Sequence, residues 1–284
     1  MSSQKTTLRN LIFFSSIVLL SGWIGHGLDL LTENHSGETP GMLLWLVLPL
    51  ITMLILRTFA GDGWKDAGLK PRFKGNISWY LIALVTYPVI TLTVLLTGHL
   101  TGWISFGTFN TTLFLNAFII ALIPNFLKNI PEEFVWRGYL TPKVISLKLN
   151  DFMVYLIVGL VWALWHIPYY LFFLDDATIQ SVTSLNKVYF MLLSIPVMIV
   201  WTIAFVELRL LTGSVWPLVA MHTIEDAFVN PLLLDGYIHI SADKELWISP
   251  IYGILSVFLY GLLGLGLRQI RKKKSGNKMM YHVS

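Results

Sequence analysis

Ionisable side chains occur in three short segments of this chain whose other residues are mostly apolar. In such surroundings carboxylates and imidazoles can take a proton from water, stabilise an oxyanion or bind a metal ion. This chemistry requires no serine or cysteine nucleophile, and the chain contains no cysteine. In chain order, the segments contain Glu132, Glu133 and Arg137; then His166; then His222, Glu225 and Asp226.

The first segment contains two adjacent acids with different expected roles. In a helix, Glu133 and Arg137 lie four residues apart on one face, with the acid first, which is the favourable order for an ion pair. Glu132 points about 100° away from Glu133. We therefore expect Arg137 to hold Glu133 and Glu132 to do chemistry. The alternative is a helix start, with Pro131 in the first turn and the acids at the positive end of the helix dipole.

The other two segments supply histidines. A lone histidine in an apolar run, such as His166, is either a catalytic group or a hydrogen-bonding link to another helix. His222 and Asp226 are four residues apart and project from one helix face, with Glu225 close to that face. Residues of these types at this spacing can share a metal ion or a water molecule; the alternative is an interhelical hydrogen-bonded pair. If the three segments pack together, they form a polar pocket suited to activating water.

The composition indicates a membrane protein. Apolar residues make up 55% of the 284 residues and charged residues only 13%, whereas a soluble domain carries about a quarter charged residues. The mean hydropathy of +0.67 points the same way. A membrane-spanning helix needs about 20 mainly apolar residues. Eight runs meet this need: 10–31, 41–59, 77–98, 108–128, 152–174, 187–208, 214–234 and 246–268.

The basic residues predict the orientation of these helices. With eight helices and both termini in the cytoplasm, every lysine and arginine except Lys187 and Lys244 falls on the cytoplasmic side, as the positive-inside rule requires. The fourth run is interrupted by Pro124 and Pro131, so it either kinks there or gives way to a separate short helix that begins near Pro131.

The predicted fold is therefore an all-α membrane protein of about eight transmembrane helices, both termini cytoplasmic, with a polar catalytic cavity inside the bundle. We expect a single polytopic membrane domain over residues 1–284. Its N-terminal helices lie within 1–100, and a C-terminal helix and basic tail occupy 246–284.

These motifs resemble those of the CPBP intramembrane proteases, a family that includes CAAX prenyl endopeptidases and the bacteriocin-processing Abi proteins. The resemblance covers about residues 120–232, and the stretch 213–217 before the third motif is also typical of the family. The resemblance implies that Glu133 and Arg137 support the site. The three motifs here are Glu132-Glu133-x-x-x-Arg137, Trp162-x-x-x-His166 and His222-x-x-x-Asp226.

The resemblance also implies a role for each of the other motif residues. Glu132 matches the base that activates water, and His166 matches the residue that helps it. His222 and Asp226 match a pair that binds the oxyanion. The implied activity is an intramembrane endopeptidase acting on membrane-associated substrates, in the known cases prenylated CAAX proteins or bacteriocin-like peptides.

Two positions depart from the family pattern. Trp162 stands where phenylalanine is usual, and Asp226 stands where asparagine is usual. An asparagine amide can donate a hydrogen bond to an oxyanion, whereas an ionised aspartate would repel it. Asp226 is therefore protonated, or it binds a metal, or it orients His222. Glu132, His166, His222 and Asp226 would make an acceptable zinc set, and since the family has been described both as metalloproteases and as metal-independent glutamate proteases, Zn²⁺ and no cofactor both stay open.

Two other classes of function compete with the protease. One is a non-catalytic immunity or scaffold protein of the same fold, since fold does not guarantee activity. The other is a transporter with the polar pocket as its binding site, although the chain has no second copy of the Glu-Glu-x-x-x-Arg motif, which paired transporter halves would suggest. The expected partners are a peptide or protein substrate and the lipid bilayer, with no nucleic acid. The bacterial plasma membrane is the expected location, or the endoplasmic reticulum membrane in a eukaryote.

Overall fold

The computed structural model describes residues 2–32, 39–107 and 109–280. Thr108, where the fourth predicted run begins, and residues 281–284 of the predicted basic tail lie outside this range. Within it, seven helices are long and apolar enough to cross a membrane, so the chain is an all-α membrane protein as predicted. They are Gln4–Leu31, Pro40–Phe59, Ile77–Leu100, Thr111–Ser146, Asp151–Phe173, Lys187–Thr212 and Ile254–Lys274.

Two of the helices run directly into a single turn of π-helix. These turns, Trp136–Leu140 and Tyr169–Phe173, directly follow the α-helices Thr111–Val135 and Asp151–Pro168. The α-helices and strands, in chain order, are α1 Ser2–Leu31, α2 Pro40–Phe59, α3 Ile77–Leu100, β1 Ile104–Phe106, α4 Thr111–Val135, α5 Thr141–Ser146, α6 Asp151–Pro168, α7 Asp176–Val182, α8 Lys187–Thr212, α9 Trp216–Leu234, β2 Ile238–Ile240, α10 Glu245–Ile248 and α11 Ile254–Met280.

The fourth predicted run was ended too early. α4 continues through Pro124 and Pro131, and a π-helical turn then joins it to α5, so the alternative of a separate helix beginning near Pro131 was wrong. Each proline removes one backbone hydrogen bond, but side chains can satisfy the carbonyl groups nearby. Pro124 deprives the Ile120 carbonyl of its donor, and the Asn125 amide donates to the neighbouring carbonyl, that of Ala121, at 2.9 Å.

The seventh predicted run forms α9, which is helical but is not one of the seven apolar helices. Three ionisable residues within five positions lower its hydropathy. α9 packs against α3 and is buried along most of its length, so these residues contact protein rather than lipid. The eighth predicted run was started too early, because a break containing Pro250 and Gly253 separates α10 from α11. The orientation of the termini stays a prediction.

The described residues divide into two compact units, of which the first comprises residues 1–68 and 128–199. In this unit α1 packs against α2 and α6. Two glycines allow a close approach of α1 and α2, since a Cβ atom added at Gly25 would lie 2.2 Å from the carbonyl oxygen of Gly41. A larger residue at either glycine would push α1 and α2 apart.

The second unit comprises residues 69–127 and 200–284. Here α3 packs against both α9 and α11. The strands β1 and β2 pair antiparallel, with Ile104 opposite Ile240. The sequence analysis did not predict these strands, because three residues are too few to show the alternating pattern of a strand. The prediction of a single membrane domain stays a prediction.

Candidate active site

The first motif lies where α4 ends, in the first unit. Glu133 and Arg137 are fully buried, and Nη1 of Arg137 lies 2.9 Å from Oε1 of Glu133, so the ion pair predicted from their spacing is present. The guanidinium carbon of Arg137 lies 4.1 Å from the centre of the Trp162 ring. Trp162, the tryptophan that departs from the family pattern, therefore presents its aromatic face to a buried cation. The indole ring is the most favourable side-chain ring for such a contact.

The helix widens at Trp136, three residues after the second acid, Glu133. In the π-helical turn Trp136–Leu140, the backbone N–H of Thr141 donates to the carbonyl of Trp136, five residues earlier. The Thr141 hydroxyl donates to the same carbonyl at 2.8 Å. A π-helical turn adds one residue to an α-helix and is frequent at functional sites. The extra residue therefore changes the angle between side chains that precede the turn and side chains that follow it.

His166 lies in the last turn of α6 with a defined ring orientation. Its Nδ1 is 2.9 Å from the backbone carbonyl oxygen of Trp162. A carbonyl can only accept a hydrogen bond, so Nδ1 carries the proton in this contact and Nε2 is the nitrogen that can accept a proton. The Trp165 ring meets the imidazole edge-on at a centroid distance of 4.7 Å, and the Tyr170 ring stacks on it at 5.9 Å.

Trp45 of α2 fixes the turn that carries His166, and the sequence analysis missed it. Its indole N–H donates to the carbonyl oxygen of Trp165 at 2.9 Å. Its ring stacks on Trp165 at 4.1 Å and on Tyr169 at 4.9 Å. Trp165, which precedes His166, and Tyr169, which follows it, are thus both held by the Trp45 side chain. No sequence signal distinguishes Trp45 from an ordinary core tryptophan.

The third motif lies in the middle of α9, in the second unit. His222, Glu225 and Asp226 are each buried, with 7–8% of their surface exposed. Their nearest ligand atoms all lie within 4.8 Å of one another, and Nε2 of His222 is 3.9 Å from Oδ2 of Asp226. The Phe205 ring packs edge-on against His222 at 5.9 Å. The predicted common face is therefore present.

Asn230 extends this face by one helical turn. Its amide Nδ2 lies 3.5 Å from Oδ1 of Asp226, which places an amide donor beside the aspartate that replaces the usual asparagine. The sequence analysis did not single out Asn230. The regular spacing of four residues from His222 through Asp226 was the signal that could have found it.

A glycine-dependent turn sets the start of α9. Gly213, after α8, has φ of +64°, a backbone conformation that residues with a side chain rarely adopt. A Cβ atom there would also lie 2.6 Å from the Arg72 guanidinium. The Trp216 indole N–H, at the first residue of α9, donates to the Leu69 carbonyl oxygen at 2.7 Å. This turn is the 213–217 stretch that resembles the family.

The α9 cluster has the donors that a divalent metal ion would need. Zinc binds histidine nitrogen and carboxylate oxygen at about 2.0–2.2 Å, so ligand atoms of one tetrahedral site lie roughly 3.5 Å apart. The three donors of α9 lie within 4.8 Å of one another, so some of these atoms would have to move closer together to hold one ion. Glu225 joins His222 and Asp226 here, although the sequence analysis did not include it in the zinc set. Glu132 and His166 belong to the first unit, so a metal shared by all four predicted ligands stays a prediction.

Comparison with known proteins identifies the domain that holds these motifs. Residues 114–228 match the protein family described as Type II CAAX prenyl endopeptidase Rce1-like. The matched segment runs from α4 to α9 and contains all three motifs. No curated protein sequence matches the chain. This match supports the assignment to the CAAX-type CPBP protease family that the motifs predicted.

Proposed function

We propose that the protein is an intramembrane endopeptidase that hydrolyses a peptide bond of a membrane-associated protein or peptide with activated water. The observation that carries this proposal is the Rce1-like domain containing all three motifs. The buried Glu133–Arg137 pair and the oriented His166 ring support it, because a water-activating site needs fixed side chains around its base.

In the proposed reaction, the Glu132 carboxylate takes a proton from water, and Nε2 of His166 helps to hold that water. The water oxygen forms a bond to the scissile carbonyl carbon, and the carbonyl oxygen becomes an oxyanion. His222 and a protonated Asp226 donate hydrogen bonds to the oxyanion. The intermediate then collapses with loss of the C–N bond, and the leaving amine takes the proton from Glu132. One water is consumed, and a carboxylic acid and an amine are released.

A metal-dependent version of this reaction would use α9 differently. His222, Glu225 and Asp226 would hold the ion, and a zinc ion supplies Lewis-acid polarisation of a carbonyl oxygen when it is bound. Asp226 would then be an ionised ligand rather than a hydrogen-bond donor. The two versions predict opposite results for one substitution.

Asp226→Asn restores the usual family residue and separates the two roles of Asp226. If Asp226 donates to the oxyanion, the asparagine amide donates at every pH. We then expect kcat/KM of the variant to equal or exceed that of the wild type. Any loss of activity at high pH that ionisation of Asp226 causes in the wild type should be absent in the variant. If Asp226 binds a metal, the weaker amide ligand lowers kcat/KM, and added Zn²⁺ restores part of it. The pH profile of peptide cleavage, with and without a chelator, gives the answer.

A cleavage assay tests the function itself. The protein is purified in detergent and incubated with a proteome-derived peptide library and, separately, with a prenylated CAAX peptide. We expect the wild type to cleave at least one of these substrates, and Glu132→Ala and His222→Ala to abolish cleavage. Cleavage in the prenylated arm alone would assign prenylated proteins as substrates.

Glu245→Gln is the matched control in this assay. Glu245 is as buried as Glu132, but it accepts a hydrogen bond from the Tyr252 hydroxyl at 2.7 Å and lies outside the matched domain. Its substitution should leave cleavage unchanged. A folded wild type that cleaves neither substrate would overturn the proposed function and favour the non-catalytic immunity or scaffold protein.

A further inference from the structure

A buried network of charged side chains joins the end of α2 to the π-helical turn after the first motif. Arg57 lies in the last turn of α2, and its side chain is fully buried. One guanidinium nitrogen, Nη2, donates to the carbonyl oxygen of Gly138 inside the π-helical turn, and Nη1 donates to the carbonyl oxygen of Gly63. Arg57 therefore holds the π-helical turn directly, and it holds the loop after α2 at the same time.

Two acids in the loop after α2 complete the network. Asp66 accepts from Nη1 of Arg57 at 2.7 Å and pairs with the Lys143 ammonium group at 2.9 Å. Asp62 accepts a hydrogen bond from the Tyr139 hydroxyl at 2.7 Å, and its backbone carbonyl accepts from Lys143 at 2.8 Å. The loop is thus bound both to the π-helical turn, through Tyr139, and to α5, through Lys143.

Asp66 is charged at neutral pH in this network. Burial raises the pKa of its half-buried carboxyl, but hydrogen bonds from Lys143 and Arg57, with the positive charges of both, outweigh burial and bring the pKa below its usual value of 3.8. The Arg57 guanidinium also lies 5.2 Å from the centre of the Tyr139 ring, a distance at which a cation and an aromatic ring attract.

The network bears on the direction of the catalytic side chains. A π-helical turn is a local departure from the more stable α-helix and persists where its surroundings hold it. If this turn relaxed to α-helix, residues before it would rotate by about 100° relative to residues after it. Glu132 and Glu133 lie before the turn, Arg137 lies within it and Lys143 lies after it. A contact that holds the turn therefore holds the direction of the acids.

We propose that Arg57 is a positioning residue, which fixes the π-helical turn Trp136–Leu140 and through it the direction of Glu132. The proposal rests on the proposed function, because Glu132 is the base of that reaction. It assigns a catalytic consequence to a residue whose hydrogen bonds are to the π-helical turn and to the loop after α2. The charged loop 61–67 takes part in the same positioning through Asp62 and Asp66.

Arg57→Gln tests the proposal with two measurements. In the cleavage assay we expect kcat to fall by about 10²-fold, the effect of a small misplacement of a catalytic group, while KM changes by less than about threefold, since substrate contacts are intact. In hydrogen exchange we expect faster exchange of the backbone amides of residues 136–141 than in the wild type. Both are measured well below the melting temperature, so that a loss of global stability alone does not enter.

Arg271→Gln is the matched control for loss of an arginine ion pair. Arg271 makes two hydrogen bonds, of 2.6 and 2.8 Å, to the buried Glu207, and it is outside the network around Arg57. We expect this control to lower the melting temperature without changing kcat or the exchange of residues 136–141. Asp66→Asn is a milder second variant, in case Arg57→Gln does not fold, and should lower kcat in the same direction.

The outcomes separate this proposal from the proposed function. Wild-type kcat in folded Arg57→Gln and Asp66→Asn variants, or unchanged exchange of residues 136–141, would overturn the positioning role. If the wild type cleaves no substrate, the proposed function fails, and the hydrogen-exchange comparison alone decides whether Arg57 holds the π-helical turn.

Discussion

Replacing Glu132 with glutamine is expected to lower kcat by about 10²–10⁴-fold, the usual contribution of a general base. Glutamine has nearly the same shape as glutamate and keeps hydrogen-bonding capacity, but it cannot take a proton from water. Glu132 is buried, and a neutral amide is easier to bury than a carboxylate. The melting temperature should therefore be at or above that of the wild type. Cleavage rates and thermal unfolding of the same purified samples give both quantities.

The control for Glu132→Gln must remove a carboxylate that is equally buried but lies outside the three motifs. Glu245→Gln meets this need, because both glutamates are buried to the same degree. A Glu132→Gln variant that cleaves at the wild-type rate would rule out Glu132 as the base. His166, whose Nε2 can accept a proton, would then become the leading candidate.

Replacing Arg137 with methionine is expected to lower the free energy of unfolding by about 3–5 kcal/mol, the usual effect of removing one member of a buried ion pair. Methionine fills much of the same volume but leaves the buried Glu133 carboxylate without its cation. The contact between the guanidinium and the Trp162 ring is lost as well. Unfolding of the detergent-solubilised protein by heat or denaturant measures the change.

The double variant Glu133→Gln and Arg137→Met separates the two contributions. It removes the buried carboxylate as well as the cation, so we expect it to regain a large part of the lost stability. Lys187→Met is the control, because Lys187 pairs with Asp176 at 2.6 Å but Asp176 is 77% exposed. Its loss should change stability by about 1 kcal/mol or less. If the double variant is as unstable as Arg137→Met, the Trp162 contact rather than the carboxylate carries the effect.

Interactions between residues close in sequence were predictable. The Glu133–Arg137 ion pair and the common face of His222 and Asp226 follow from the geometry of one helix turn, which does not depend on the rest of the fold. The apolar runs located the helices for a similar reason, because lipid selects for hydropathy over about 20 residues. α9 was also located, although its polar residues lower its hydropathy.

Features that depend on distant parts of the chain were not predictable. The sequence placed Arg57 and Lys143 on the cytoplasmic side of the membrane and assigned them no partner. In the structure, Lys143 donates to the backbone carbonyl of Asp62, which lies 81 positions away in sequence. The π-helical turns have no pattern of their own, since they are held by contacts such as that between Arg57 and Gly138. Predicting these features requires the tertiary packing itself.

The burial of α9 has a consequence for how the protein enters the membrane. During synthesis, the translocon releases a helix into lipid according to its own hydropathy, and one aspartate at the helix centre opposes this by about 2.5–3.5 kcal/mol. α9 carries Glu225 and Asp226 near its centre, beside His222. Transfer of α9 into lipid alone is therefore unfavourable, whereas packing against the surface of α3 keeps its carboxylates out of lipid. Because α3 is synthesised earlier, we expect α9 to pack against it during insertion, so that protein rather than lipid covers the carboxylates of the third motif.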